Sequence, residues 1–290
     1  MPVLAILLVA SFAASDGRFV ALDLPGSQLT ALGADGQAAA GSLSGERGGG
    51  FRWQAGQGAR MLPEAISVRA ISPDGRYVAG STLDADQIEV ASWWDRDADA
   101  HPLAGLAHAL GFDPMPTVAL TVDNELLLGG TTLDGGVHFQ WSPGHGPQRA
   151  ASANDTALPS CQGRRAPVQP PAGLAAPMRF VAANADGSLW VGHAGNGARR
   201  RAVIWPGHGE AQPLDAWLRS NGVVVPDDWT LVAATAIDSS SRHVGGFGLH
   251  HGHFDSFIAA LPASPAAACA AAQPPVRAAR PGNPGRNPKP

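Results

Sequence analysis

The residues best equipped for chemistry form one run toward the C-terminal end of the 290-residue chain, His250-His251-Gly252-His253-Phe254-Asp255. Side chains alternate across an extended strand, so His251, His253 and Asp255 would share a face. They would then offer two imidazoles and a carboxylate to a metal ion. The glycines at 248 and 252 argue instead for a turn, which breaks that face apart. His243 and His138 are distant possibilities for a further ligand, but His243 falls on a strand and His138 belongs to a different repeat. On the sequence we therefore assign no metal ligands.

Other candidates have structural readings. Asp35, Asp74, Asp123 and Asp186 recur at intervals and could ring one face of a repeat fold, which would suggest calcium, but Asp before Gly or Asn is what a tight turn prefers. No Gly-x-Ser-x-Gly elbow is present, and neither Cys161 nor Cys269 has a CxxC neighbour, so hydrolase, zinc and redox readings lack a foothold. The two cysteines could pair in an exported protein, yet nothing in the sequence fixes their approach. Of the eight tryptophans, Trp53, Trp94, Trp141 and Trp205 share one repeat position and read as core. Trp190, Trp217 and Trp229 are freer to contact a ligand. The sequence assigns no catalytic, cofactor-binding or metal residue, and no cofactor. Non-repeating groups such as Arg199-Arg200-Arg201 and His250 to Asp255 are where an enzyme would have to find its chemistry.

The elements that carry these residues are copies of one repeat. Its clearest form runs from Ala70 through Ser72-Pro73-Asp74-Gly75 to Gly80. Relatives run from Ala31 to Gly41, Ala119 to Gly129, Ala182 to Gly192, and Ala236 to Gly246. In every copy alanine sits four residues before the Asp (Ser240 in the fifth) and glycine six after it. Each copy continues to an aromatic strand, Phe51-Arg52-Trp53, Trp93-Trp94, Phe139-Gln140-Trp141, Val203-Ile204-Trp205 and Phe257-Ile258-Ala259. Asp-Gly between apolar stretches predicts a two-residue hairpin turn. The repeated alanine predicts a crowded inner strand, and the Trp strand the bulk between neighbouring units. Spacings of 39, 49, 63 and 54 residues from Asp35 through Asp74, Asp123 and Asp186 to Ser240 bracket or exceed a propeller-blade period. We expect an all-β fold, a β-propeller of five blades with about four antiparallel strands each, over residues 18–262. An irregular insertion at 150–177 could hide a further blade, and Leu214 to Leu218 reads as a short helix.

Composition sets the remaining bounds. A formal charge of -4 gives no reason to expect nucleic acid. Lys289 is the sole lysine, and the Ala, Gly, Pro and Arg bias suits a GC-rich bacterial coding sequence. Residues 1–15 have the apolar run and small residues of a signal peptide, although no basic residue precedes the run. Residues 263–290 have the composition of a disordered tail. No other stretch reads as a membrane span, and we expect an exported, periplasmic or secreted monomer.

The Asp-Gly turn, the glycine-closed strand and the Phe-x-Trp strand resemble the HAF repeats of secreted bacterial proteins. Trp229 to Pro262 is similar to the closing repeat of those proteins. Ser72-Pro73-Asp74-Gly75-Arg76 is also similar to the repeats of TolB-like propellers. These resemblances imply a propeller and an extracellular location, and carry no catalytic motif. The function expected is a non-catalytic binding or structural module for an unknown protein or carbohydrate ligand. The alternative is an extracellular propeller enzyme, a hydrolase or lyase, with its site on one face.

Overall fold

The computed structural model describes residues 18–262 except 46–47, 104, 111–114, 123–124, 132–137, 151–173, 185–186, 207–209 and 239. The segments 1–15 and 263–290, most of the 150–177 insertion, and both cysteines lie outside the described residues.

The chain opens with strand β1 (Phe19–Ala21). Four hairpin-linked groups follow: β2 (Ser27–Leu32), β3 (Ala38–Leu43), β4 (Gly50–Gln54) and β5 (Gly58–Leu62), then β6 (Ser67–Ile71), β7 (Val78–Leu83), β8 (Glu89–Trp94) and β9 (Ala100–Pro102). Helix α1 (Leu106–Leu110) leads to β10 (Met115–Val122), β11 (Glu125–Thr131), β12 (His138–Ser142) and β13 (Gly146–Ala150). Next come β14 (Met178–Ala183), β15 (Trp190–Ala194), β16 (Arg201–Trp205) and β17 (Gln212–Pro213). Helix α2 (Leu214–Ser220) precedes β18 (Trp229–Ile237), β19 (His243–His250) and β20 (His253–Ala260).

Among the described residues these strands form five antiparallel sheets of four, the blades of an all-β propeller. The fifth blade borrows its outer strand from the other end of the chain, in the order β1-β20-β19-β18. Hydrogen bonds from Leu22 N to Ser256 O and from Ala260 N to Arg18 O extend that seam. The first strands of four blades pack on a neighbouring sheet, linking the third blade to the second, the second to the first, the first to the fifth and the fifth to the fourth. The core lies in these layers. Ala31 packs with Val68, Val78 and Trp94, and Ala236 packs with Leu29 and Phe51. This is the crowding that the repeated alanine predicts.

Every first strand carries a β-bulge, between Leu29 and Ala31, Val68 and Ala70, Pro116 and Val118, Phe180 and Ala182, and Ala234 and Ala236. The residue before each bulge pairs with a glycine on the second strand: Gly41, Gly80, Gly130, Gly192 and Gly246. A Cβ at Gly41, Gly80, Gly192 or Gly246 would stand 2.3, 2.0, 1.9 or 2.1 Å from a first-strand carbonyl oxygen. The repeat glycine is thus a steric requirement of the bulge. In the third copy that position belongs to Gly130, not to Gly129, because its bulge follows the Pro116–Gly130 pair.

Two further expectations need correction. The Asp-Gly loops are longer than two residues in four blades. Ser72 N donates to Tyr77 O and Gly75 N to Ser72 O, with matching bonds at Gly33, Asn184 and Asp238. A β-turn and a left-handed residue, Gly36, Gly75, Gly187 or Ser241, together close the hairpin. Only in the third blade, where Val122 pairs with Glu125, are two residues left between the strands. The tryptophans also divide. Trp94 and Trp205 are buried, while Trp53 and Trp141 are only half-buried. Phe51, Phe139 and Phe257 are as deeply buried as Trp94 and lie opposite the bulge glycines. A Cβ on Gly41 would sit 2.7 Å from the Phe51 ring, so phenylalanine fills the space the missing side chain leaves.

Gly192→Ala should therefore cost about 3 kcal/mol, at the upper end for overpacking a tight site. Gly197→Ala, at a positive φ but with open space around it, should cost about 1 kcal/mol. Urea denaturation monitored by tryptophan fluorescence tests this. Equal costs would mean the bulge can move away from the new methyl.

Candidate functional site

Antiparallel order sends the first-to-second and third-to-fourth strand turns to one end of the ring. The second-to-third turns and the connections between blades go to the other. The first end is regular. Asp35 Oδ1 accepts from Gln37 N at 2.9 Å, and Asp74 Oδ1 accepts from Arg76 N at 3.1 Å and Ser72 Oγ at 2.6 Å. These carboxylates serve their own turns, whereas Asp123 and Asp186 lie outside the described residues. The second end gathers α1, α2, the Gly195–Arg200 turn and the His251-Gly252 turn, and it is the candidate site.

The β19–β20 hairpin turns at His251-Gly252, so His251 does not share a strand face with His253 and Asp255. His250 ends one strand and pairs with His253 at the start of the next. His251 and Gly252 make the turn with φ of 50° and 84°, the two left-handed positions of a type I′ turn. Asp255 is buried. Its Oδ1 accepts from Leu24 N at 3.1 Å and Ser256 N at 2.7 Å, and its Oδ2 faces His250 Nδ1 at 3.4 Å. The groups that do converge are His250, His251 and Asp228. Oδ2 of Asp228 stands 3.2 Å from His250 Nε2 and 3.4 Å from His251 Nε2. His250 is held flat by Trp229, whose ring stacks on it at 4.7 Å and 18°. Trp229 is buried rather than free, since it is also wedged edge-on against Phe19 and Phe257. His243 lies at the opposite end, bonded to the buried Asp238 of its own turn at 2.8 Å, and the side chain of His138 is not among those described.

Sequence reasoning missed Asp228 and His250. Asp228 lies on an irregular connection 22 residues before His250, with no spacing to mark it. His250 alternates off the face that His251, His253 and Asp255 would share on an extended strand.

A second cluster on the same end is basic. On β14 and β15 Arg179 pairs with His193, and the Nη2 of Arg200 lies 3.1 Å from His193 Nδ1. Arg200 also lies over the Phe247 ring at 5.5 Å. Its Nε is buried with no hydrogen-bond partner among the described residues. Burial, then Arg200 and Arg179, hold the His193 imidazole below its ordinary pKa. Burial likewise lowers Arg200. Arg200 is the member of the Arg199–Arg201 run that turns inward, while Arg201 returns to the carbonyls of its own loop.

At the regular end, Arg52, Arg60 and Arg96 border a depression of about 210 Å³. Arg52 donates to the carbonyls of Asp95 and Arg96, stapling the first blade to the second. That contact accounts for its burial. Burial, and then Arg60 and Arg96, lower its pKa.

No protein-family model and no curated protein matches the chain. Among solved structures it is similar to TolB from Acinetobacter baumannii, at 11% identity and a TM-score of 0.32, over 84% of this chain and 55% of that one. A putative TolB from Agrobacterium tumefaciens matches at 12% identity and 0.33, over 80% and 73%. An oligogalacturonate lyase in complex with manganese matches at 12% and 0.28, over 81% and 65%. The chain thus spans about half the length of the first TolB. Scores this low carry no argument about function, and the propeller assignment rests on the sheets themselves.

A base with a lowered native pKa binds fewer protons in the folded state than in the unfolded one. His193 therefore costs stability once the pH falls below the unfolded value of about 6.5. Its imidazole signals should titrate below that value by NMR, and move upward in Arg200→Ala. A midpoint unaffected by the substitution would show that Arg200 does not bear on His193.

Proposed function

We propose that the chain is an exported, non-catalytic binding module. Its ligand surface is the end of the ring where the variable connections gather, over the fourth and fifth blades. The observation that carries this reading is the inward-turned Arg200, whose buried Nε lacks a partner among the described residues. A buried guanidinium N–H left without an acceptor costs free energy on the order of 1–3 kcal/mol. An oxygen acceptor on a ligand would recover it. The flanking Arg179 and the Phe247 ring make the surface suited to an acidic or hydroxyl-rich group, carried by a protein or a carbohydrate. The repeated residues support the same reading, because turn capping and bulge formation already occupy them. No helix among the described residues is long and apolar enough to cross a membrane. Periplasmic or secreted location follows, in this proposal, from the character of residues 1–15.

Arrays of acidic and neutral polysaccharides and of peptides, probed with the purified full chain, test the proposal. We expect saturable binding without turnover. Arg200→Ala should weaken it at least tenfold, while Arg76→Ala, at the regular end, should leave it unchanged. Catalytic turnover of an arrayed compound that tracks with the chain would replace the binding module with an enzyme.

A further inference from the structure

Asp228, His250 and His251 converge on one point, with His250 Nε2 within hydrogen-bond reach of Asp228 Oδ2 at 3.2 Å. A charge-assisted N–H···O bond closes to about 2.7–2.9 Å. Here both imidazole nitrogens stand off the same carboxylate oxygen, at 3.2 and 3.4 Å. Donors bound tetrahedrally to one zinc ion, at about 2.0–2.1 Å each, lie about 3.3–3.4 Å from one another. The two separations match that edge length, and one ligand atom from each residue lies within 4.8 Å of the others.

The supporting parts are also present. Asp255, fixed by backbone N–H groups, faces Nδ1 of His250 and so directs Nε2 outward, the carboxylate–histidine arrangement that orients a ligand imidazole. Stacking on Trp229 fixes the ring plane. His251 occupies a turn position with φ of 50° that favours Asn, Asp or Gly, so its imidazole is placed there at some conformational cost. That placement sets the two rings beside each other, with centroids 4.1 Å apart.

We propose that Asp228 Oδ2, His250 Nε2 and His251 Nε2 bind one divalent transition-metal ion, with zinc the best match to two nitrogens and one oxygen. Three protein ligands leave a fourth position for water or for a donor atom of a bound ligand. The proposal does not depend on the Arg200 surface, and its test reads metal rather than array ligands.

Untagged full-length chain, stripped with a chelator and dialysed, is titrated with zinc chloride by calorimetry. One equivalent should bind per chain, and the melting temperature should rise in excess zinc. His251 and Asp228 are substantially exposed, at 66% and 46% of the side chain, so H251A and D228N should keep the fold, verified by circular dichroism. Each should weaken zinc binding at least tenfold. H253A removes a neighbouring histidine outside the set and should change affinity less than twofold. Absence of stoichiometric binding, unchanged affinity in H251A and D228N, or an equal loss in H253A would overturn the proposal.

Discussion

The architecture depends on a missing side chain. In four of the five blades a bulge on the first strand brings a carbonyl so close to the second strand that only glycine leaves room for it. The bulge then does two things at once. It turns its extra residue out of the ladder, and it frees a carbonyl beside it. At the threonines that are the extra residues of the fifth and first blades, both consequences meet. Thr235 Oγ1 donates to Leu29 O in the first blade, and Thr30 Oγ1 donates to Val68 O in the second. Leu29 and Val68 each precede a bulge themselves, so one distortion supplies the donor and the next supplies the acceptor. Neighbouring blades are joined near the axis by the irregularity they share.

The same economy governs the regular end of the ring. Ser72, Asn184 and Asp238 occupy one repeat position, and each accepts from the backbone N–H five residues on, at Tyr77, Leu189 and His243. The turns also touch their neighbours. Ala34 N donates to Pro73 O, Asn184 Nδ2 donates to Ser241 Oγ, and the His243 ring covers Gly36 so closely that a Cβ there would lie 2.5 Å away. Aspartate and glycine are held at these positions by a belt of turns. That is why their recurrence says nothing about a ligand, and why function is to be sought at the end where lengths vary.

This division explains what could be read from the sequence. Blade number and strand order within a blade were legible because each is repeated, and the helix at Leu214 because its pattern is local. The bulges were not, since no residue type marks a bulge. Its signature is the glycine on the partner strand, and in the third copy that glycine could be placed one residue off without disturbing the count. Phe51 and Trp53 present the same difficulty, because both are aromatic and on one face of β4. Only the register, which puts Phe51 opposite Gly41, shows which fills the core. The candidate ligands were harder still. Gly252 made the turn legible, but the tertiary structure brings Asp228 in from an irregular connection that no spacing marks.

Asp255 also links closure of the ring to the proposed metal site. Its Oδ1 takes hydrogen bonds from Leu24, just beyond the N-terminal strand, and from Ser256 on β20, the strand that β1 joins. Its Oδ2 meets His250. One buried carboxylate therefore holds the seam where the two ends of the propeller meet, and also sets the direction of an imidazole that opens onto the variable end. A buried charge of this kind is tolerable only when all its partners are in place. If the N-terminal segment left the seam, Asp255 would lose the Leu24 N–H, and His250 would lose part of what orients it. Order at the ligand cluster and closure of the fifth blade are in this sense one condition, set by the residue where both hydrogen-bond networks end.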